Sequence, residues 1–240
     1  MILAMTDFSR EREEMVERQL KRRGITEAGI LDAFRAVPRE AFIAGNNVHL
    51  AYGDHPLPIE AGQTISQPYI VALMIQAAAI KPGDTVLEVG AGSGYAAAVI
   101  SRIAGKVIGI ERQQQLVEVA RERLRRLGYD NVEIVEGDGT RGWSDGAPYD
   151  AILAAASGSH VPRPLVEQLA PGGRIVMPVG EPGAVQELIK VTKNDDGTLI
   201  QQNLGGVRFV PLIGEEGWGD DGRRPRALAA PYRPGRGAAA

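Results

Sequence analysis

Short apolar runs alternate with segments of helical period through the middle of the chain. Strands are predicted at residues 86–89, 106–111 and 132–135, and helical patterns follow the first two at 96–103 and 113–127. Strands at 150–156 and 174–179, with a helix at 162–169 between them, extend the pattern. Regular alternation of this kind is typical of a parallel sheet covered by helices on both faces.

Different patterns flank this region. Helices are predicted at 9–23, with Ser9 as N-cap, and at 27–37. After the last parallel strand, a pair of strands at 186–193 and 207–212 indicates an antiparallel finish. The expected fold is α/β: a doubly wound, mainly parallel Rossmann-like sheet with an antiparallel C-terminal finish and an added N-terminal helical element.

The patterns also divide the chain. Residues 1–80 should form N-terminal helices and a loop on the substrate side, packed on the core, and residues 81–214 the Rossmann-like core that binds a cofactor. Beyond Gly214 the sequence is rich in Gly, Pro, Arg and Ala, so residues 215–240 are expected to form a disordered tail.

The turn after the first core strand carries the strongest chemical signal. Gly90, Gly92 and Gly94 follow the apolar run directly, and a helical run begins at once. Glycines let the backbone turn tightly and approach a ligand, and free N–H groups at a helix start favour an electronegative group. This arrangement predicts a site for a nucleotide-like cofactor.

Two neighbours of the glycines narrow the choice of cofactor. A dinucleotide-binding loop has the form GxGxxG, and here Tyr95 occupies the sixth position, which would crowd a pyrophosphate. Glu88 would repel a pyrophosphate and attract the ammonium group of an amino acid. These residues disfavour NAD and favour S-adenosylmethionine, which carries an ammonium group and a sulfonium.

Acidic residues also follow the next two strands. Glu111 ends its strand at the position that holds ribose hydroxyls in such folds, and Asp138 lies between two glycines. We expect the Asp138 carboxylate to accept a hydrogen bond from an adenine amino group. Any one of these acids is more often a solvated turn residue or a helix cap, but their recurrence at three strand ends favours a cofactor site.

Composition excludes several classes of function. A net charge of −3 and a pI near 5.7 give no overall basic field for nucleic acid, and the arginines at 121–126 are interpreted as a solvated helix face. The chain has no cysteine, and its three histidines lack metal-ligand spacing, so no disulfide and no metal site are expected. The absence of a signal-peptide or membrane-span pattern favours a cytoplasmic protein.

A long irregular segment at 51–69 is a second candidate site. Thr64, Ser66 and Gln67 supply neutral hydrogen-bond donors, and Pro68 stiffens the loop before a helix. Spacing alone leaves open whether Ser66 acts in a site or caps that helix. It also leaves open whether the predicted strand at 207–212 pairs with an extended peptide or is a plain core strand.

Several motifs together resemble one family over residues 15–212. They include Val37-Pro-Arg-Glu-Ala-Phe42, Gly62-Gln-Thr-Ile-Ser-Gln-Pro-Tyr69, Gly137-Asp-Gly139 and Val207-Arg-Phe-Val-Pro-Leu212. In these the chain resembles the protein-L-isoaspartate O-methyltransferases. The glycine loop alone would fit any class I methyltransferase, whereas the Thr-Ile-Ser-Gln-Pro and Val-Arg-Phe-Val-Pro motifs are far more specific.

The resemblance implies transfer of a methyl group from S-adenosylmethionine to the free α-carboxylate of an L-isoaspartyl residue, leaving S-adenosylhomocysteine. The ester would then close to a succinimide that reopens partly to aspartate. In the family, the serine of the Thr-Ile-Ser loop is the proposed active-site residue, which makes Ser66 the catalytic candidate. Substrate contacts are assigned to Thr64, Ile65, Gln67 and Val210, and cofactor contacts to Glu88, Gly90, Gly92, Ser93, Gly94, Glu111, Arg112, Asp138 and Gly139.

The expected partners are isoaspartyl-containing proteins and peptides, with no nucleic acid, membrane or metal. The loop at 157–160 looks longer than the family pattern, which puts contacts from that loop in doubt. Two rival functions stay open: a class I methyltransferase with another acceptor, and a non-catalytic module that binds the cofactor.

Overall fold

The computed structural model describes residues 8–221 and 223. In this part of the chain the helices are α1 (Ser9–Met15), α2 (Ala28–Ala36), α3 (Pro68–Ala78), α4 (Tyr95–Ser101), α5 (Gln114–Leu127) and α6 (Arg163–Glu167). The strands are β1 (Leu57–Pro58), β2 (Thr64–Ile65), β3 (Thr85–Val89), β4 (Lys106–Glu111), β5 (Val132–Glu136), β6 (Tyr149–Ala154), β7 (Leu169–Val179), β8 (Gln186–Lys193) and β9 (Leu199–Val207). None of these helices combines the length and apolar character needed to cross a membrane.

Strands β3 to β9 form one sheet in the order β5-β4-β3-β6-β7-β8-β9. The pairs from β5 to β7 are parallel, and β7–β8 and β8–β9 are antiparallel. The Rossmann-like sheet with an antiparallel finish is thereby confirmed. Strand order reverses between β3 and β6, and a crevice for ligands opens at such a point, outside the carboxyl ends of the strands.

Successive side chains of β3 enter two different cores. Val86 packs in a cluster that includes Phe34 of α2 and Ile75 of α3, whereas Leu87 packs with Leu165 of α6. This follows from the alternation of side chains across a strand. The N-terminal elements therefore share their core with one face of the sheet, and the proposed domain division at residue 80 stays a prediction.

The N-terminal helix is longer than α1 alone. α1 continues through a π-helical segment, Val16–Leu20, and a 3-10 turn, Lys21–Arg23, before Gly24 ends it with a φ of 94°. A φ in the left-handed region favours glycine, so the helix ends at residue 23, as the sequence predicts. The N-cap is Phe8 and no side chain caps this helix, so the capping role predicted for Ser9 is wrong.

The strand predicted at 207–212 is also wrong. β8 pairs with β9, which ends at Val207, and the hairpin closes with Asn194 N donating to Thr198 O at 2.8 Å. The outer strand has exposed polar residues at 201–203, because an edge strand needs little apolar surface, and the hydrophobic pattern therefore missed it. Residues 208–212 instead cross the end of β6, where Ser157 N donates to Val210 O and Leu212 N to Ser157 O, each at 2.8 Å.

The disordered tail expected from residue 215 does not begin there. Trp218 is 2% exposed and its Nε1 donates to Ser157 O at 2.9 Å, while Glu215 N donates to Asp138 Oδ2 at 2.8 Å. We refer to residues 213–220 as the C-terminal strap, since they lie across the strand ends. The rest of the expected tail, 222 and 224–240, lies outside the described residues.

Candidate active site

A cavity of about 760 Å³ lies where the carboxyl ends of β3, β4 and β6 face the β1–β2 hairpin. This is the point where the strand order reverses. Of the residues assigned from sequence, the cavity wall contains Thr64, Ile65, Ser66, Gln67, Glu88, Gly90, Gly92, Ser93, Glu111, Arg112, Gly139 and Val210. The structure thus brings together two groups of residues that are far apart in the chain; Gly94 and Asp138 do not line this cavity.

Glu88 is the most unusual charged group on the wall. It is 3% exposed, and its Oε2 has no hydrogen-bond partner among the described residues. Burial, together with the nearby Glu111 carboxylate, raises the pKa of Glu88 to about 8, although the Ala97 backbone N–H partly offsets the shift. A buried carboxylate oxygen that lacks a donor is suited to a cationic ligand group such as an ammonium.

N–H groups of the glycine loop donate hydrogen bonds to acceptors within the protein. Gly90 N and Ala91 N both donate to Ile110 O, at 2.9 and 3.2 Å, and Gly92 N donates to Glu111 Oε2 at 3.0 Å. A phosphate-binding loop instead leaves such groups free for the anion. The loop therefore lets a ligand approach the backbone closely, but these N–H groups are not free to bind an anion. This agrees with the choice of S-adenosylmethionine over a dinucleotide.

Glu111 and Arg112 close the wall at the end of β4. Glu111 Oε1 accepts from the N–H groups of Arg112 and Gln113, at 2.8 and 3.0 Å. These bonds, together with the bond from Gly92 N, fix the carboxylate while Oε2 retains room for a further donor such as a hydroxyl. Arg112 forms an ion pair with Asp220 of the C-terminal strap at 2.9 Å.

Asp138 has its carboxylate turned to the protein. Oδ1 accepts from Thr140 N and Thr140 Oγ1, at 2.9 and 2.7 Å, and Oδ2 from Glu215 N of the C-terminal strap. Asp138 therefore caps a turn and anchors the strap, and its position gives no support to the adenine contact assigned to it. Its neighbour Gly139 does lie on the wall, where a Cβ would come 2.6 Å from Val89 Cγ1.

Gly94 likewise has a packing role. It is the N-cap of α4 with a φ of 85°, and a Cβ there would lie 3.3 Å from Leu124 Cδ1 on α5. Glycine is favoured at such a φ, and α4 can then lie close against α5. The cofactor contact assigned to Gly94 stays a prediction without support from its placement.

Ser66 lies on the wall between β2 and α3. The N-cap of α3 is Gln67, no side chain caps the helix, and Pro68 occupies its first turn. The capping alternative for Ser66 is therefore not observed. Ile65 is 4% exposed in the core and pairs with Leu57 of β1, which fixes the backbone on which the Ser66 hydroxyl is presented.

An ion pair holds this hairpin against the cofactor side. Arg123 of α5 donates to both carboxylate oxygens of Glu60, at 2.7 and 3.3 Å, and Arg123 is 8% exposed. The interpretation of the arginines at 121–126 as a solvated face is therefore wrong for Arg123. In the sequence Arg123 stands among arginines that are exposed in the structure. Its ion pair with Glu60, which is far away in the chain, is what distinguishes Arg123 from them.

The wall also includes residues that the sequence did not single out. They come from the β7–β8 loop, the end of β9 and the segment that follows it: Val185, Gly206, Arg208 and Ile213. The Val-Arg-Phe-Val-Pro motif was the available signal for this region, and it was interpreted as a strand. Among the described residues no group of three His, Asp or Glu side chains could hold a metal ion.

The fold and the cavity together define a class. A sheet in which β3 lies between β4 and β6, a glycine loop without a free anion nest, and an unpaired carboxylate beside it are the features of a Rossmann-like methyltransferase domain that uses S-adenosylmethionine. Comparison with known proteins gives the family within that class.

Residues 10–217 match the family model of protein-L-isoaspartate(D-aspartate) O-methyltransferase. A protein-L-isoaspartate O-methyltransferase 2 from Pelobacter propionicus is 54% identical over 207 residues, covering 86% of this chain and 92% of the relative. One from Methanoculleus marisnigri is 50% identical over 209 residues, covering 87% of this chain and 94% of the relative. The chain belongs to the protein-L-isoaspartate O-methyltransferase family.

Solved structures agree with this assignment. A protein-L-isoaspartate O-methyltransferase has a TM-score of 0.79 and 32% identity, covering 86% of this chain and 67% of that one. A second from Plasmodium falciparum, in complex with S-adenosyl-L-homocysteine, has a TM-score of 0.73 and 30% identity, covering 84% and 98%. The similarity therefore extends through both the N-terminal elements and the sheet.

Proposed function

We propose that this enzyme transfers a methyl group from S-adenosylmethionine to the free α-carboxylate of L-isoaspartyl residues in damaged proteins and peptides. The observation that carries the proposal is that one cavity joins the buried Glu88, whose Oε2 has no hydrogen-bond partner among the described residues, to the neutral loop that carries Ser66. One end is suited to a cationic cofactor and the other to an anionic acceptor. Family membership supports the same reaction.

The cofactor end has a wall that fits S-adenosylmethionine. We assign Glu88 to its ammonium group, Gly90, Gly92 and Ser93 to its methionine and sugar parts, Glu111 to the ribose hydroxyls, and Gly139 to the base. Arg112 would close this end through its ion pair with the C-terminal strap. When bound, the cofactor supplies a methyl group on a sulfonium, and its transfer leaves neutral S-adenosylhomocysteine.

The acceptor needs no base from the protein. The reference pKa of a carboxyl group is about 4, so the attacking oxygen already carries its charge at neutral pH. In agreement, the described residues on the wall include neither histidine nor lysine. The work left to the chain is to align the carboxylate and to remove water from it.

Alignment falls to the loop at 64–67. The Ser66 hydroxyl would donate one hydrogen bond to the acceptor carboxylate, with Thr64, Ile65 and Gln67 holding the peptide beside it. A neutral donor orients the oxygen while leaving it nucleophilic, whereas a lysine or arginine would hold it more tightly and reduce its reactivity. Val210, which is 40% exposed, supplies an apolar contact on the opposite side.

The structure does not support recognition of the peptide by strand pairing at 207–212, one of the two alternatives that the sequence leaves open. That segment is not a strand, and Val210 O and Leu212 N are already bonded to Ser157. We instead propose that side chains of the segment contact the peptide at the mouth of the cavity. The methyl ester would then leave the site, and the following backbone amide nitrogen would attack the ester carbonyl, releasing methanol and forming a succinimide. Hydrolysis of the succinimide gives partly aspartate.

A paired-peptide assay tests the proposal. The wild-type enzyme and S-adenosylmethionine labelled at the methyl group are incubated with an isoaspartyl peptide and with its aspartyl twin. We expect label only in the isoaspartyl peptide. If neither peptide is labelled, the proposal is wrong. That result is expected both of a non-catalytic cofactor-binding module and of a methyltransferase for another acceptor.

We further propose that the enzyme works in the cytoplasm without metal or nucleic acid. A chain with no cysteine fits a reducing compartment, and a net charge of −3 offers no field for a polyanion. Cell fractionation would test the location. Addition of a chelator or of RNA to the peptide assay should leave the rate unchanged.

A further inference from the structure

Among the described residues of the cavity wall, four have ionisable acidic or basic side chains: Glu88, Glu111, Arg112 and Arg208. The first three are at the cofactor end, where Glu111 is bonded to the backbone and Arg112 is paired with Asp220. Arg208 lies on the wall two residues before Val210, which the proposed function places on the acceptor side. It forms no ion pair and no side-chain hydrogen bond with any described residue, so its positive charge is available to a ligand.

The surroundings of Arg208 make that charge distinctive. Val185 and Val210, which share this part of the wall, are 58% and 40% exposed, and the neighbouring Gly206 has no side chain. This part of the wall therefore presents two exposed apolar side chains and one cation. Such a surface attracts a carboxylate on an incoming peptide and disfavours an ammonium group, through the interaction between their charges.

The backbone that carries Arg208 is fixed on both sides. Val207 pairs with Gln186 of β8, and the Gln186 side chain, which is 1% exposed, accepts a hydrogen bond from Phe209 N at 2.9 Å. One buried glutamine thus holds both neighbours of Arg208. A charge held at a defined place on the rim can discriminate between substrates more sharply than one on a loose loop.

We propose that Arg208 is a specificity-determining residue, an inference that rests on the proposed function. It selects isoaspartyl peptides that carry a second carboxylate within about two residues of the modified one, a span of roughly 7 Å in an extended chain. The second carboxylate can come from an Asp or Glu side chain or from the C-terminus of the peptide. The acceptor carboxylate itself stays with the neutral Ser66 loop.

The test compares isoaspartyl peptides with blocked ends that differ at one flanking position, Glu, Gln or Lys; a fourth peptide has Gln there and a free C-terminus. For wild type we expect kcat/KM for the Glu peptide to exceed that for Gln by about twofold to fivefold, the effect of an exposed ion pair, with Lys lowest. Arg208→Gln should bring the Glu-to-Gln ratio to one. Arg208→Lys should keep it above one, and Arg208→Glu should invert it in favour of Lys.

Arg163→Gln is the matched control, because Arg163 is an exposed arginine on α6 that is paired with Glu167 and does not line the cavity. It should keep the wild-type ratio. Raising the salt concentration should reduce the wild-type ratio, since exposed ion pairs are screened. Affinity for S-adenosylhomocysteine should be the same in all variants, which also shows that they are folded.

Equal kcat/KM of wild type for all four peptides, including the one with a free C-terminus, would overturn the inference. So would an equal loss on every peptide in Arg208→Gln, which would place Arg208 on the part that all the substrates share. Both results leave the proposed function standing, because the Gln peptide is methylated. Absence of methylation of every peptide would overturn the proposed function and this inference with it. If only the free C-terminus raises kcat/KM, the source of the carboxylate is the chain end.

Discussion

Glu88 and Ser66 face the same cavity with opposite properties. Glu88 is buried with a raised pKa, so it holds a proton that a cation can displace. Ser66 is a partly exposed neutral donor on a loop fixed by its neighbours. In the proposed function, recognition of the cofactor's charge is assigned to Glu88 and alignment of the acceptor to Ser66.

The raised pKa of Glu88 predicts proton release on cofactor binding. At pH 7 the free protein holds this proton, because the pKa is about 8, and a bound ammonium group favours the ionised carboxylate. Titration calorimetry of S-adenosylhomocysteine in buffers with different heats of ionisation should show release of up to about one proton between pH 6 and 7. Glu88→Gln should abolish this release, whereas the exposed Glu136→Gln at the end of β5 should not. Equal heats in all buffers would contradict the assignment.

The same group makes the stability of the free protein depend on pH. Because the folded pKa lies above the ordinary value of 4.5, the folded state holds a proton that the unfolded chain releases. The stabilising contribution is complete below pH 4.5 and is lost as pH rises through about 8. Denaturant unfolding of wild type minus Glu88→Gln should therefore show a difference that falls across this interval, and a flat difference would contradict the shift.

Ser66→Ala tests alignment separately from cofactor binding. Loss of one neutral hydrogen bond to the acceptor should lower kcat roughly tenfold to a hundredfold, while affinity for S-adenosylhomocysteine changes by less than about twofold. Single-turnover methylation and calorimetry measure the two quantities. Ser144→Ala, on an exposed turn, is the control and should match wild type. A loss of cofactor affinity as large as the loss of rate would make Ser66 a cofactor contact.

The β1–β2 hairpin is positioned by α5 as well as by its own strands. The bond between Arg123 and Glu60 is largely shielded, with side-chain exposures of 9% and 19%, whereas the neighbouring Arg125–Glu122 pair is exposed at 76% and 58%. The two pairs start from the same helix and differ in burial. They therefore form a natural comparison of buried and exposed ion pairs.

Arg123→Gln should destabilise the protein by about 2 to 3 kcal/mol, below the usual cost of breaking a buried pair because Glu60 keeps some access to water. Arg125→Gln should cost less than about 0.5 kcal/mol. Denaturant unfolding measures both. We also expect Arg123→Gln to raise the KM for the peptide, since the loop that carries Ser66 loses its anchor. If the two variants are equally stable, the hairpin does not depend on this ion pair.

The elements that sequence predicted correctly are those whose pattern reflects local burial. β3, β4 and α5 show continuous apolar runs or a clear helical period, because each packs a whole face in the core. β9 and the C-terminal strap were missed because their stability comes from contacts far away in the chain: β9 is a polar edge strand, and the strap is held by Asp138 and by burial of Trp218. No local period encodes such contacts.

The site was predictable to a similar degree and for similar reasons. Glu88 and Glu111 stand at strand ends, where a parallel sheet gathers them, so chain position alone indicated their place. The packing roles of Asp138 and Gly94 depend on what lies opposite them, namely the strap and Leu124. Arg208 lies within the Val-Arg-Phe-Val-Pro motif, but the motif does not show that its side chain lacks a partner among the described residues, which only the folded structure reveals.

The N-terminal elements and the glycine loop pack together as one unit. Arg39 is fully buried, its Nε donates to Ala51 O at 2.8 Å, and its guanidinium lies 4.8 Å from the centre of the Tyr95 ring. Tyr95, at the sixth position of the glycine loop, packs against Phe34 and Phe42 from the same N-terminal part. A ligand that orders the loop should therefore stabilise the entire protein.

This coupling predicts a large and selective thermal shift. At a hundred times its Kd, S-adenosylhomocysteine should stabilise the protein by about 2.7 kcal/mol, which is roughly 5 to 10 °C in Tm for a chain of this size. NAD at the same concentration should give no shift, because the loop offers no anion nest and Tyr95 crowds a pyrophosphate. Scanning calorimetry measures both, with Glu88→Gln expected to show a smaller shift for S-adenosylhomocysteine. A comparable shift with NAD would mean that the loop accepts a pyrophosphate after all, and the assignment of Glu88 to an ammonium group would then be wrong.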